Sequence, residues 1–472
     1  MSKSRLAATR QRGTGKSKNA GTEPASAPGL TARQTAHRIL GAILEAGASM
    51  DALTDEQHGH PQYLALDSRD RALVRAILLT ALRHHGDLQA VVDSFTDKPL
   101  PKGAAPVRHI LTAGLAQILL LDVPDHSAVD IAVSAARGDP RARRFDKLVN
   151  ALLRRAVREK QELQTRIEGA LHYGPMWFRE RLATVYGAQM SDAILRRHRI
   201  EAPIDLTLKR AERANAALWA ERLDAVVLPT GSLRLRDRTS DIASLPGYAE
   251  GAWWVQDASA AVPACLFGDL HGKRAIDLCA APGGKTAQLA DSGAAVTALD
   301  LSANRLKRLA ENLSRLGLAE RCNAVKADMM RFEDTPLYDA VLLDAPCSST
   351  GTVRRHPDVP FAKSMADVEK LAQLQTRMLN RAADLVAPGG VLVFSNCSLD
   401  PLEGEEIAER FSDDREDFEV IPVKVSELPG LEQGVTPQGY VRLTPAMLEV
   451  DPPGLGGVDG FFAVRFRRMG LV

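Results

Sequence analysis

The chain has 472 residues, long enough for about three domains on the usual size range. Its 60 basic and 59 acidic residues nearly cancel, so any nucleic-acid footprint must come from local clustering. Five cysteines without a CxxC pair and no leading apolar segment argue against a secreted disulfide scaffold or a structural zinc site, and no apolar run approaches the roughly 20 residues of a membrane span. A soluble, cytoplasmic protein with no metal and no membrane partner is expected.

Residues 1–29 carry Lys3, Arg5, Arg10, Arg12, Lys16 and Lys18 among Ser, Thr, Gly and Ala, with Glu23 the single acid. This reads as a disordered basic tail, either touching RNA phosphates or simply solubilising the chain. Gly13–Ser17 mimics a phosphate loop, but Arg10 stands where the first glycine belongs and no strand precedes it.

Residues 30–162 read as nearly all helix. Apolar residues recur at three and four positions in Ala36–Leu44, Arg71–Leu79 and Ile110–Leu120, and Pro101, Pro106 and Pro124 punctuate helix ends. These faces predict a helical bundle. Arg137–Arg144 and Arg154–Arg158 concentrate positive charge within it. Over 163–250 two further helices are expected at Trp177–Tyr186 and Ser191–Arg197, then a small α/β module with strands near Ile204–Leu208, Val226–Leu228 and Leu233–Leu235.

From 251 to 472 apolar strands alternate with helices in the rhythm of a doubly wound parallel sheet, beginning near Trp253. Strands are predicted at 275–279, 295–300, 323–327, 339–344 and 391–396. Helices are predicted at 286–291, 302–316 and 364–386, with Pro388–Gly390 as a helix-to-strand turn and a last strand at 460–466. Gly454–Gly460 only mimics a dinucleotide fingerprint, because a strand rather than a helix follows it.

Asp277–Thr286 is the strand, glycine turn and helix start of such a sheet, and Gly283 and Gly284 let the backbone approach a ligand. Three acids end or follow the next strands: Asp300, Asp328 and Asp344. The first can accept two ribose hydroxyls. The second is placed for an adenine amine, and the third for the cationic end of the ligand or a reacting base. The first loop is too short for a pyrophosphate signature, so the expected cofactor is S-adenosyl-L-methionine.

Asp344-Ala-Pro-Cys-Ser348 and Ser395-Asn-Cys-Ser398 follow the fourth and fifth strands. Methylation of an exocyclic amine needs no thiol. Cytosine C5 is a poor nucleophile until a thiolate adds to C6, and a second group must then remove the C5 proton. Two cysteines fit that cycle, with Asp344 at N3 and N4 of the ring, whereas Cys265, Cys279 and Cys322 read as small buried apolar residues.

Asp67–Val74, Leu121–Val129 and Leu148–Arg154 resemble the NusB-like RNA-binding domain over about 130 residues. Asp277–Thr286, Asp344–Ser348 with Thr350–Asp358, and Asp459–Phe462 resemble the RNA cytosine-5 methyltransferases of the RsmB, NOP and Sun family over 33–466. The combination is similar to the branch that methylates a cytosine of 16S ribosomal RNA. The resemblance implies a class I Rossmann-like methyltransferase domain, Cys397 as nucleophile and Cys347 as the group that releases the base. It also implies cofactor contacts at Cys279, Ala280, Ala281, Pro282, Gly283, Gly284, Lys285, Asp300, Asp328 and Asp344. Two departures stand out: Asn396 replaces the usual Thr before the nucleophile, and Leu399–Glu406 differs from the usual Pro-Glu-Glu arrangement. Arg354, Arg355 and His356 are expected to hold RNA phosphates beside a flipped base. A monomer working on 16S RNA is the expectation; tRNA as substrate, or a non-catalytic RNA-binding factor, are the alternatives.

Overall fold

A computed structural model of the chain describes residues 29–98, 100–169, 174–237 and 241–470. The basic tail, with its phosphate-loop mimic, lies outside the described residues except for Gly29.

The bundle is built from the helices Leu30–Ala46, Ser68–Arg83, Ala105–Leu120, Asp125–Gly138 and Asp146–Arg158, with shorter turns between them. Ala105–Leu120 is apolar nearly all round, so it runs through the middle: Val107, Leu111, Leu115, Ala116 and Ile118 are buried within 1% exposure. Asp146–Arg158 is instead strongly amphipathic, burying Val149, Leu152, Leu153 and Ala156 and leaving its arginines outside. Asp67 caps Ser68–Arg83 by accepting from Asp70 N at 2.7 Å, as an Asp before a helical run should.

The next pair of helices forms one bent rod, Met176–His198, broken at Gly187 (φ 73°, ψ 167°). Four short antiparallel strands follow: β1 (Asp205–Leu208), β2 (Ala225–Val227), β3 (Leu233–Leu235) and β4 (Trp253–Val255), in the order β2-β3-β1-β4. From the sequence, Trp253 is placed at the start of the large sheet. It closes the small one instead, Trp254 facing Thr207 across the ladder, so the module runs past 250 to Val255. Buried Trp253 stacks in that module's core with Leu206, Leu233 and Trp219, and this packing recruits the strand.

The large sheet comprises β5 (Arg274–Asp277), β6 (Ala295–Asp300), β7 (Cys322–Lys326), β8 (Tyr338–Asp344), β9 (Val386–Asn396), β10 (Phe418–Val420), β11 (Val441–Leu443) and β12 (Phe461–Arg468). The order is β10-β12-β9-β8-β5-β6-β7, with β11 on β12. β5 to β9 are mutually parallel, whereas β10, β11 and β12 join antiparallel, so the sheet is mixed. Side chains alternate between two apolar faces: Ala275, Leu342 and Val393 on one, Ile276, Val341, Leu343, Leu392 and Phe394 on the other. The expected turn at Pro388–Gly390 lies within β9, where Gly389 (φ 78°) and a register shift opposite Tyr338–Ala340 make a bulge. The chain order reverses between β5 and β8, which opens a crevice at their carboxyl ends.

Candidate active site

Every strand from β5 to β9 delivers a side chain or loop to that crevice, a cavity of about 370 Å³. Cys279 and Ala281 come from the loop after β5, Asp300 and Leu301 from the end of β6, and Asp328, Met329 and Met330 follow β7. Asp344 and Cys347 follow β8, and Cys397 follows β9. Of the expected cofactor residues, Ala280, Pro282, Gly283, Gly284 and Lys285 do not line the cavity. They build the turn behind it: Gly283 takes φ 107°, and a Cβ there would lie 2.9 Å from Leu309 Cγ.

Asp300 holds the loop to β6 by accepting from Ala281 N (3.2 Å) and from Ser302 N (2.8 Å), with Arg305 3.4 Å away. Asp328 accepts from Met330 N at 3.0 Å. Asp344 is anchored on both oxygens, by Ser395 Oγ at 2.9 Å and by Lys285 Nζ at 2.7 Å, and the same ammonium lies 4.9 Å over the Phe461 ring. Lys285 thus reaches the cavity only through its pairing with Asp344. Asp277, fully buried beneath, accepts from Thr286 Oγ1 (2.7 Å) and is pushed up to about 6, chiefly by burial.

Cys347 Sγ and Cys397 Sγ are 3.4 Å apart. The hydrogen bond between them drives their acidities apart, holding the Cys347 proton on and favouring thiolate at Cys397, which Ser349 and Lys285 also support. Cys279 shares the cavity, but burial and the carboxylates of Asp277, Asp344 and Asp300 push its thiol far up. Cys265 and Cys322 do not line the cavity.

The three residues expected to hold RNA phosphates lie outside the cavity. Arg354 is wholly buried, donating to Gly456 O at 3.2 Å. Arg355 bridges Asp257 (2.5 Å) and Asp459 (2.7 Å), both buried, and donates to Pro203 O (3.1 Å). His356 pairs with Asp51 of the bundle at 3.0 Å. None lines the cavity; after Cys347 the chain turns inward, Arg354 and Arg355 are held chiefly within the catalytic domain, Arg355 also reaches Pro203 O of the small module, and His356 pairs with the bundle. Sequence reasoning also missed the polar set under the cysteines, Ser348, Gln375 and Glu403, which sits inside otherwise apolar surroundings. Its trace in the sequence is the pair of serines following the two cysteines.

A mixed α/β sheet carrying two cysteines and three acids at its carboxyl edge is thus joined to a helical bundle. The sequence matches the NusB family over residues 30–158 and the family described as 16S rRNA methyltransferase RsmB/F over residues 267–467. A ribosomal RNA small subunit methyltransferase B of Xanthomonas campestris is 35% identical over 413 residues, covering 84% of this chain and 91% of the relative. The chain therefore belongs to the ribosomal RNA small subunit methyltransferase B family, and the non-catalytic alternative falls away. The crystal structure of PH0851 shares the fold across 94% of this chain and all of its own (TM-score 0.66, 20% identity). That of NSun6 from Pyrococcus horikoshii with SFG does so over 63% of this chain and 99% of its own (TM-score 0.52, 19% identity). No helix among the described residues is long and apolar enough to cross a membrane.

Proposed function

We propose that this enzyme methylates C5 of a cytosine in 16S ribosomal RNA, using S-adenosyl-L-methionine and a covalent bond between Cys397 and C6 of the base. The observation that carries the reading is the 3.4 Å approach of the two thiols on a cavity also lined by Asp300, Asp328 and Asp344. The names of the relatives support ribosomal over transfer RNA.

The cavity suits an adenosyl group. Asp300 offers a carboxylate for ribose hydroxyls, Leu301, Met329 and Met330 offer apolar faces for a flat ring, and Asp328 offers an acceptor for an amine. The cofactor, when bound, supplies an electrophilic methyl group. Cys397 as thiolate adds to C6, and Asp344, steadied by Lys285 and Ser395, accepts from the N4 amine and so orients the ring edge. C5 is then nucleophilic and takes the methyl.

Cys347 must afterwards accept the C5 proton so that Cys397 leaves as thiolate and the ring regains its double bond. In the free enzyme the first cause holding a proton on Cys347 is its hydrogen bond to Cys397. Once Cys397 is bonded to carbon that cause is gone, although burial and Glu403 still disfavour the thiolate, and Cys347 gives up its own proton to solvent before it takes the one from C5. A flipped-out base is required to reach this depth. The reading has the protein acting in the cytoplasm as a monomer.

Cys397→Ala is expected to abolish methyl transfer, and Cys347→Ala to leave protein attached to RNA through denaturing gels. Adducts that persist in Cys397→Ala and vanish in Cys347→Ala would reverse the roles. Bisulfite sequencing of 16S RNA from a strain lacking the protein should show one cytosine losing its methyl mark; an unchanged map would sink the substrate assignment.

A further inference from the structure

Behind the cysteines lies a buried polar cluster that the reaction as described does not use. Glu403, in the turn Pro401–Glu403, is wholly buried. Its Oε1 accepts from Ser348 N and from Gln375 Nε2, both at 2.8 Å, and its Oε2 accepts from Ser348 Oγ. Ser348 Oγ is 3.1 Å from Ser398 Oγ, so the residue following Cys347 is joined both to the residue following Cys397 and to one carboxylate. Asn396, just before Cys397, closes the ring: its Nδ2 donates to Glu403 O at 2.5 Å, and its Oδ1 accepts from Ser398 N at 2.9 Å. The Asn that departs from the usual Thr therefore brackets Cys397 from both sides.

A carboxylate in such a place carries a large desolvation penalty, and burial pushes the Glu403 pKa above the usual carboxylate range. An apolar side chain of the same size would fill the space without that penalty but could not hold the Cys347–Ser348 peptide. Glu403 reaches neither sulfur by a hydrogen bond; it acts on the loops that carry them.

We infer that Glu403 is a positioning residue that holds the Cys347 loop against the end of β9, setting the approach of the two sulfurs and thereby the release of the methylated base. The inference rests on the covalent reading above. Formation of the Cys397–C6 bond needs Cys397 and Asp344 in place and is assisted by the Cys347 hydrogen bond, for which Ser349 and Lys285 partly substitute, whereas release cannot occur without Cys347 beside the neighbouring carbon. Loosening the Cys347 loop therefore affects the second half of the cycle most.

The test uses full-length protein, 16S RNA transcribed in vitro and radiolabelled S-adenosyl-L-methionine. Glu403→Ala is expected to turn over about 100-fold more slowly, the effect of an ångström-scale misplacement, while adduct accumulates on the RNA and cofactor affinity by calorimetry stays within about twofold. Glu403→Gln should recover turnover to within about threefold of the parent, since its amide oxygen can accept from Ser348 N and Gln375 Nε2 and its amide NH2 can donate to Ser348 Oγ. Glu403→Asp keeps the charge but retracts it by one methylene, so it should accumulate adduct as the Ala variant does, and it serves if that variant fails to fold. A merely structural role predicts that adduct, turnover and cofactor binding fall together. That parallel loss, or normal turnover in both Ala and Asp variants, overturns the inference. Absence of any adduct with Cys347→Ala on the same RNA would instead overturn the covalent reading itself.

Discussion

Cys279, Cys347 and Cys397 line one cavity, and their surroundings alone make them chemically unlike. Cys279 sits among three carboxylates and stays a thiol, while Cys397 receives a hydrogen bond and feels the Lys285 ammonium. The sequence distinguished them only as far as strand interior against loop, and the order of Cys347 and Cys397 came from resemblance. The charge environment could not be read, because its contributors are scattered from Asp277 to Ser349. Asp277 gives a separate test. It titrates near 6 in the fold against 3.8 ordinarily, so folding favours its neutral form, and its burial weakens the protein progressively as pH rises from about 3.8 through 6. Asp277→Asn should therefore stabilise by about 3 kcal/mol at pH 7.5, the gain shrinking below pH 6 and vanishing below the unfolded value. Thermal unfolding across that range checks it; a gain independent of pH would contradict the assignment.

Among the elements, the loops matter more than the strands. Most predicted strands fall within a few residues of those observed, since buried parallel strands are continuous apolar runs bounded by Asp or Gly. What periodicity missed was pairing: β4 joins the small sheet, β12 runs antiparallel beside β9, and β10 and β11 are three-residue strands recognisable only by their neighbours. The Asp459–Phe462 motif gains its meaning from that pairing, because β12 brings Gly460 against Gly351. Gly351 N donates to Cys397 O at 2.9 Å, Gly460 N donates to Gly351 O at 2.8 Å, and a Cβ on Gly351 would stand 2.3 Å from Gly460 O. Gly351→Ala must push the two loops apart. We expect a folded protein, losing about 1–3 kcal/mol as overpacking does, with methyl transfer down by 10-fold or more. Normal transfer by a stably folded Gly351→Ala protein would show that the loops tolerate the shift.

On the scale of the whole molecule, the helical bundle is docked on the catalytic domain at the segment that follows Cys347. Asp51 pairs with His356, Asp358 accepts from Met50 N at 2.9 Å, and Arg83 donates to Arg354 O at 2.9 Å. Asp51 raises the His356 imidazole above its usual 6.5. A raised histidine contributes stability that is complete below 6.5 and lost as pH rises through the folded value. Hydrogen exchange at Met50–Asp55 and Val353–Asp358 should accordingly speed up on the alkaline side in the parent protein beyond the intrinsic rate, and Asp51→Asn should flatten that dependence. An identical pH response in both would remove His356 from the docking account. This segment is where the sequence is least informative: a run of Arg-Arg-His beside the Cys347 loop looks like a phosphate clamp, and only the fold brings up Asp257 and Asp459, which hold Arg355 inside the catalytic domain, and Asp51 of the bundle, which pairs with His356.

By itself the sequence determined what is local: apolar periodicity, the glycine turn after β5, acids at strand ends and two cysteines in loops, each legible because its cause lies within a few residues. Only the tertiary structure decided what depends on distant partners. It brought the thiols to 3.4 Å, turned Lys285 toward Asp344, buried Arg354 and set Glu403 beneath Ser348. Hydrogen bonds and desolvation act over a few ångströms of space regardless of separation along the chain, and that is why those roles had to await the fold.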